Sequence, residues 1–187
     1  EHIQKDVDRA SKDLAEERGA CPDAADYGIK ERFSNKTAIA PTASISIICG
    51  GTSPGVEPIA ANSFTHKTLS GSFNVRNRYL EKILEKHNKN DDETWSTITT
   101  NQGSVSHLDF LTQQEKDVFK TAFELDQKWI VELGADRTPH ISQAQSINIF
   151  VPADIHKKEL HQIHFQAWKK GLKSLYYCRS KSIQRAE

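Results

Sequence analysis

The sequence predicts an α/β fold of the parallel or barrel type, because short apolar strands alternate with amphipathic helices along the chain. Strand patterns cover residues 37–40, 146–151 and 174–178, and helix patterns lie before and between them. Apolar residues spaced three or four apart identify the helices, whereas short apolar runs identify the strands. With 187 residues, the chain is long enough for one domain or a large piece of one.

The first half of the chain begins with a predicted helix over residues 1–18, which Gly19 ends. The apolar face of this helix is formed by Ile3, Val7, Ala10 and Leu14. A short buried strand is predicted at 37–40 and ends at Pro41. Residues 50–78 are rich in Gly, Ser, Thr and Asn and lack a clear period, which is typical of functional surface.

The middle of the chain contains two further helix patterns. The first covers residues 79–87 and is followed by a polar break at 88–93. The second opens with a capping box at 112–115, Thr-Gln-Gln-Glu, and its apolar period continues to Gly134. We therefore expect one long amphipathic helix from this capping box to the glycine.

The last third of the chain is predicted as strand, helix and strand. The strand at 146–151 is stopped by Pro152, and Asp154 is expected to cap the helix that ends near Gly171. The side chains expected to face inward from this helix are Leu160, Ile163, Ala167 and Trp168. Residues 174–178 form the last predicted strand.

Composition excludes several classes of protein. Lys plus Arg and Asp plus Glu both number 25, so the zero net charge gives no electrostatic case for binding nucleic acid or an anionic membrane. No run of 18 apolar residues predicts a transmembrane helix, and the first residues do not resemble a secretory signal. The three cysteines have no metal-ligand spacing, so we expect no metal site and a reduced, cytoplasmic setting. Because the chain has no methionine, we interpret it as part of a longer protein, the alternative being removal of the first residue.

A small, polar turn at residues 41–44 follows the first predicted strand. If a helix begins near Ser44, its first N–H groups and the positive end of its dipole would bind an anion such as a phosphate. Thr42 and Ser46 can add hydroxyl donors, and the small side chain of Ala43 lets a phosphate approach the backbone. The alternative is an ordinary strand-to-helix turn with Ser44 as the helix N-cap.

Tyr176 and Tyr177 place two oxidisable phenols side by side at the end of the last predicted strand. Adjacent residues in a regular strand point to opposite faces, so the two rings can stack only if the strand bends or ends there. A stacked pair would have ring centroids roughly 4.5–7 Å apart. Such a pair could pass an electron from ring to ring while protons move between the hydroxyls. The alternative is one tyrosine packed in the core and the other at the surface.

Six short motifs follow one another along the chain. They are Ala40–Ser44, Gly55–Pro58, Thr68–Gly71, Ser142–Ile149, Trp168–Lys173 and Tyr176–Tyr177. In order and approximate spacing they resemble the later part of the large (alpha) subunit of class I ribonucleotide reductase. The resemblance covers nearly the whole chain.

This resemblance implies a fold and a domain organisation. The fold would be the C-terminal part of a ten-stranded α/β barrel built from two half-barrels, and this part would be rich in helices. Residues 1–187 would be a single fragment of that barrel domain. The N-terminal region that binds ATP and dNTP effectors, and the C-terminal tail that carries redox cysteines, would lie outside the chain.

The resemblance also implies how the substrate is held. In the family, a proline-threonine turn binds the substrate diphosphate, largely through backbone N–H groups. That role falls here on Thr42, Ala43 and Ser44, with Ser46 as a further candidate.

A second implied role is a radical relay. In the family, a tyrosine pair passes a radical between the small subunit and a cysteine of the large subunit. Tyr176 would face that cysteine, and Tyr177 would face the small subunit. The family's catalytic cysteines would lie elsewhere, so Cys49 and Cys178 are expected to be small, buried apolar groups.

Together these implications predict an enzyme, part of a ribonucleoside-diphosphate reductase large subunit that makes 2′-deoxyribonucleotides for DNA synthesis by thiyl-radical chemistry. The fragment alone would be inactive and would bind no cofactor directly. The radical would come from a metal-tyrosyl or dimetal cofactor in the partner small (beta) subunit. The other expected partners are a ribonucleoside diphosphate, the upstream part of the large subunit and a thioredoxin- or glutaredoxin-type reductant. The alternative is a non-catalytic nucleotide- or phosphate-binding or assembly module.

Overall fold

A computed structural model describes residues 1–51, 53–68 and 71–181. Along the chain its elements are α1 (His2–Arg18), α2 (Pro22–Ala25), α3 (Ala43–Ile48), β1 (Ser63–Thr68), β2 (Gly71–Arg76), α4 (Arg78–Lys86), α5 (Asp92–Thr100), α6 (Gln113–Val118), α7 (Gln127–Arg137), β3 (Ile149–Val151), α8 (Lys157–Lys169) and β4 (Cys178–Ser180). Leu69 and Ser70, which belong to one of the six motifs, lie outside the described residues.

The chain divides into two compact units. The first unit comprises Glu1–Thr42 together with the chain from Gln127 onward, and the second comprises Ala43–Asp126. In neither unit does a described helix combine the length and apolar character needed to cross a membrane.

The first unit has the predicted parallel α/β arrangement. Strands β3 and β4 pair in parallel, with Ile149 opposite Cys178, and an isolated parallel bridge joins Ile39 to Gln145. Helices α7 and α8 pack together and against this small sheet. The buried core consists of Ile130, Val131, Ile147, Ile149, Val151, Ile163 and Ala167.

Two glycines shape the helices of the first unit. Gly19 has a φ of 83° and follows the last residue of α1, as predicted. Gly134 was expected to end its helix, but α7 continues through it to Arg137. A Cβ at Gly134 would lie 2.7 Å from Cδ1 of Ile147, so the glycine allows close packing rather than ending the helix.

The second unit is built around helices α4 and α5 and the loops that follow them. Its buried core consists of Leu80, Leu84, Trp95, Ile98, Val105, Leu108, Leu111 and Phe119. The prediction of α4 is confirmed within one residue, and Asn77 caps it by accepting from the N–H groups of Tyr79 and Leu80. Helix α5 lies partly in the predicted polar break, where Asp91 accepts from the Thr94 N–H and starts the helix.

Residues 50–78, for which the sequence predicted functional surface and no particular element, contain regular structure. Strands β1 and β2 form an antiparallel hairpin there, with Ser63 opposite Arg76. Every residue of β2 is exposed. The strand therefore needs no continuous apolar run, which removes the strongest signal for a strand.

The single long helix predicted from residue 112 is divided in the structure. The predicted capping box is confirmed, since Thr112 Oγ1 accepts from the Glu115 N–H and the Thr112 N–H donates to the Glu115 carboxylate. A second capping box joins Thr121 and Glu124 and starts a 3₁₀ turn before α7. Each box satisfies the backbone N–H groups of a new helix start, so the chain begins again instead of extending α6.

Several predictions near the C-terminus also need correction. The N-cap of α8 is His156, whose Nδ1 accepts from the Lys158 N–H, rather than Asp154. Trp168 does not face inward, because it is 72% exposed. Among the cysteines, Cys49 and Cys178 are exposed rather than buried.

Candidate functional site

The two adjacent tyrosines lie immediately before β4, not inside the strand predicted at 174–178. Their backbone is nevertheless fixed. The Tyr176 N–H donates to the Ile147 carbonyl at 2.8 Å, and the Tyr177 carbonyl accepts from the Ile149 N–H at 2.9 Å. Because the regular strand begins only at Cys178, the two side chains are not forced to opposite faces.

The rings of Tyr176 and Tyr177 contact each other directly. Their centroids are 4.1 Å apart, the ring planes are inclined by 53°, and the hydroxyl oxygens are 3.4 Å apart. The two residues are 47% and 53% exposed, so neither is packed in the core of the unit. The alternative of one core tyrosine and one surface tyrosine is therefore wrong for this structure.

The electrostatic surroundings of Tyr176 favour its neutral form. The hydrogen bond that the Tyr176 hydroxyl donates to Tyr177 raises the pKa of Tyr176, and desolvation adds to this shift. The guanidinium of Arg179 opposes it and lies 5.5 Å from the centroid of the Tyr177 ring. Arg179 was not among the predicted site residues, and the sequence offers no signal for it beyond its position two residues after Tyr177.

The predicted phosphate turn coincides with the start of a helix. Thr42 is half-buried, and helix α3 begins with the exposed residues Ala43 and Ser44. The helix starts one residue before the predicted position, so Ser44 lies inside its first turn and is not its N-cap. The first N–H groups of any helix lack partners within the helix, and here they belong to residues with small side chains.

Ser46 differs from the other predicted turn residues. It is only 6% exposed, and its hydroxyl donates to the Ala43 carbonyl at 2.7 Å. This hydrogen bond directs the Ser46 side chain onto the backbone of the helix start.

A stretch of chain in the first unit connects the two predicted functional segments through backbone hydrogen bonds. On one side, the Ser146 N–H donates to the Ile39 carbonyl at 2.8 Å, in the segment that leads to the turn. On the other side, the Ile147 carbonyl accepts from the Tyr176 N–H at 2.8 Å. Consecutive residues thus hold the approach to the turn and the start of the tyrosine pair.

Comparisons with known proteins point to one family. The family model "Ribonucleotide reductase, barrel domain" matches residues 3–178. The ribonucleoside-diphosphate reductase large subunit of Invertebrate iridescent virus 6 is 49% identical over 189 residues, which covers 99% of this chain and 20% of the viral protein. The large subunit from Caenorhabditis elegans is 35% identical over 158 residues, covering 84% of this chain and 20% of the nematode protein.

A solved structure agrees with these matches. The alpha subunit of the class Id ribonucleotide reductase of Actinobacillus ureae matches with a TM-score of 0.82 and 38% identity, over 96% of this chain and 32% of that chain. The chain therefore spans between a fifth and a third of the length of these relatives.

Proposed function

The chain belongs to the ribonucleotide reductase barrel-domain family, and we propose that it is the C-terminal section of the barrel of a ribonucleoside-diphosphate reductase large subunit. The complete enzyme would reduce a ribonucleoside diphosphate to the 2′-deoxyribonucleotide by thiyl-radical chemistry. The observation that carries the proposal is the direct contact of the Tyr176 and Tyr177 rings, at 4.1 Å between centroids.

The tyrosine pair would act as the radical relay. Oxidised Tyr177 would take an electron from Tyr176, and the oxidised Tyr176 would then take an electron from the catalytic cysteine, held elsewhere in the large subunit. A phenol that loses an electron also releases its proton, and the hydroxyl contact of 3.4 Å supplies a neighbouring oxygen for that proton. The pKa of Tyr176 is raised rather than lowered by its hydrogen bond to Tyr177, so the phenol that is oxidised at neutral pH is the protonated one, and its proton is lost with the electron.

The exposed start of α3 would hold the substrate diphosphate. Thr42, Ala43 and Ser44 would contribute mainly backbone N–H groups, supported by the positive end of the helix dipole. Ser46 would act indirectly, because its hydroxyl already donates to the Ala43 carbonyl and stabilises the turn.

The remaining components would come from partners. The small subunit would supply the radical from its metal cofactor, and Tyr177 would face that subunit. A thioredoxin- or glutaredoxin-type protein would supply the reducing equivalents. The upstream part of the large subunit would supply the catalytic cysteine.

The test is nucleotide reduction by the complete large subunit with its small subunit, comparing the wild type with Tyr176→Phe. We expect reduction by the variant to fall to background while binding of the ribonucleoside diphosphate is unchanged, because phenylalanine keeps the ring but removes the hydroxyl. Tyr27→Phe is the matched control, since Tyr27 is 83% exposed and belongs to no predicted site. Full activity in Tyr176→Phe would refute the relay, and a wild-type complex that binds nucleotides without reducing them would favour a non-catalytic module.

A further inference from the structure

Lys173 binds three consecutive backbone carbonyls in the first unit. Its ammonium group donates to the carbonyl oxygens of Ile141, Ser142 and Gln143, at 2.8, 2.6 and 3.4 Å. Lysine has three N–H donors on its ammonium group, so these contacts match its hydrogen-bonding capacity.

The position of these carbonyls explains why they need a cation. They directly follow the 3₁₀ helix Thr138–His140, where no further helical N–H groups are available to bond them. Three carbonyl oxygens that approach one point repel each other unless a positive group lies between them. Lys173 supplies that charge from the segment that leads to Tyr176.

The segment that Lys173 holds is bonded in turn to the chain before the phosphate turn. The Ser142 hydroxyl accepts from the N–H groups of Lys36 and Thr37 at 2.9 and 2.8 Å, and donates to the Thr37 carbonyl at 3.0 Å. The Ser142 N–H donates back to Thr37 Oγ1 at 2.9 Å. Thr37 and Ser142 are therefore joined by hydrogen bonds that use both their backbone and their side-chain groups.

Thr37 lies only a few residues before Thr42, the first of the turn residues that the substrate would bind. Ile39 forms the parallel bridge to Gln145, and Pro41 restricts the backbone just before Thr42. A displacement of residues 141–143 therefore moves the end of the chain that presents Thr42.

We propose that Lys173 is a positioning residue for the substrate turn, a role that rests on the proposed diphosphate-binding function of Thr42. The tyrosine pair does not depend on Lys173 in the same way, because Tyr176 and Tyr177 have their own backbone bonds to Ile147 and Ile149. Loss of Lys173 should therefore change KM for the ribonucleoside diphosphate more than kcat.

The test uses Lys173→Met in the complete large subunit assembled with its small subunit. Since hydrogen bonds to a charged group are among the stronger ones and this one is exposed, we expect KM to rise about fivefold and kcat to stay within about twofold. Lys173→Arg keeps the charge and several donors, so its KM should return to within about twofold of the wild type. Lys170→Met is the matched control, because Lys170 pairs with Glu132 instead and should leave KM unchanged.

Amide hydrogen exchange separates this inference from the proposed function. We expect faster exchange in residues 36–42 of Lys173→Met and no change there in Lys170→Met. Unchanged exchange in residues 36–42 would overturn the inference whatever the activity. Faster exchange with an unchanged KM, in an active enzyme, would make Lys173 purely structural and would also overturn it. Failure of the wild type to reduce any ribonucleoside diphosphate would instead refute the proposed function.

Discussion

Replacing Gly103 with alanine should destabilise the second unit far more than the same change at a glycine with free space. Gly103 has a φ of 82°, and a Cβ there would lie 2.4 Å from Cβ and 2.6 Å from Cα of Ala61. Gly51 has a similar φ of 76° and is in the same unit, but a Cβ at that position would meet nothing within 4 Å. The pair of variants therefore separates the cost of the overlap from the cost of the backbone conformation.

The overlap also affects a buried hydrogen-bond cluster. The Gly103 carbonyl accepts from the backbone N–H and from Nδ2 of Asn62, at 3.1 and 2.9 Å, and Asn62 is only 1% exposed. Alanine at positive φ costs roughly 1 kcal/mol, overpacking against backbone about 2 kcal/mol, and weakening this cluster about 1 kcal/mol. We expect a loss of about 4 kcal/mol for Gly103→Ala and about 1 kcal/mol for Gly51→Ala.

Hydrogen exchange of α4 and α5 in the complete subunit measures this difference, because their amides report the opening of the second unit. A loss of about 4 kcal/mol corresponds to exchange about a thousandfold faster, and a loss of about 1 kcal/mol to about fivefold. Equal exchange in the two variants would show that the overlap with Ala61 is relieved without cost, and would refute the reasoning.

Two further predictions concern titrating groups. Burial, together with the nearby Lys116 ammonium, lowers the pKa of His107. Its neutral form is thus favoured on folding, so stability is retained above the unfolded pKa of about 6.5 and is lost as pH falls below it. The stability measured from hydrogen exchange of the α5 amides should fall between pH 7 and pH 5 in the wild type and fall less in His107→Gln. An identical pH dependence in the two proteins would contradict this prediction. Tyr177→Phe should lower the pKa of Tyr176, because the hydrogen bond to Tyr177 is the main cause of its raised value; a ¹⁹F NMR titration of fluorotyrosine at position 176 measures this, and an unchanged pKa would contradict the assignment.

The start of α3 was accessible from the sequence because it depends on neighbouring residues, whereas the sequence left the contact of the tyrosine rings open between two alternatives. The helix begins within one residue of the predicted Ser44, and the strand that would have separated the two rings begins only after them. The diphosphate and relay roles of these residues remain predictions. Arg179 and Lys173 were missed as site residues. An exposed cation follows no hydrophobic period, and its role depends on the groups that it contacts in the folded chain.

What the sequence alone determined is local. The capping box of Thr112 and Glu115 and the end of α1 at Gly19 follow from bonds and backbone angles within a few residues, which the order of side chains specifies directly. The tertiary structure alone decided which distant segments meet. Thr37 and Ser142 are 105 residues apart and are joined by reciprocal hydrogen bonds, because the path of the chain through the first unit brings their backbones together. That path depends on burial of the core of the first unit, and no local sequence pattern around Thr37 or Ser142 encodes it.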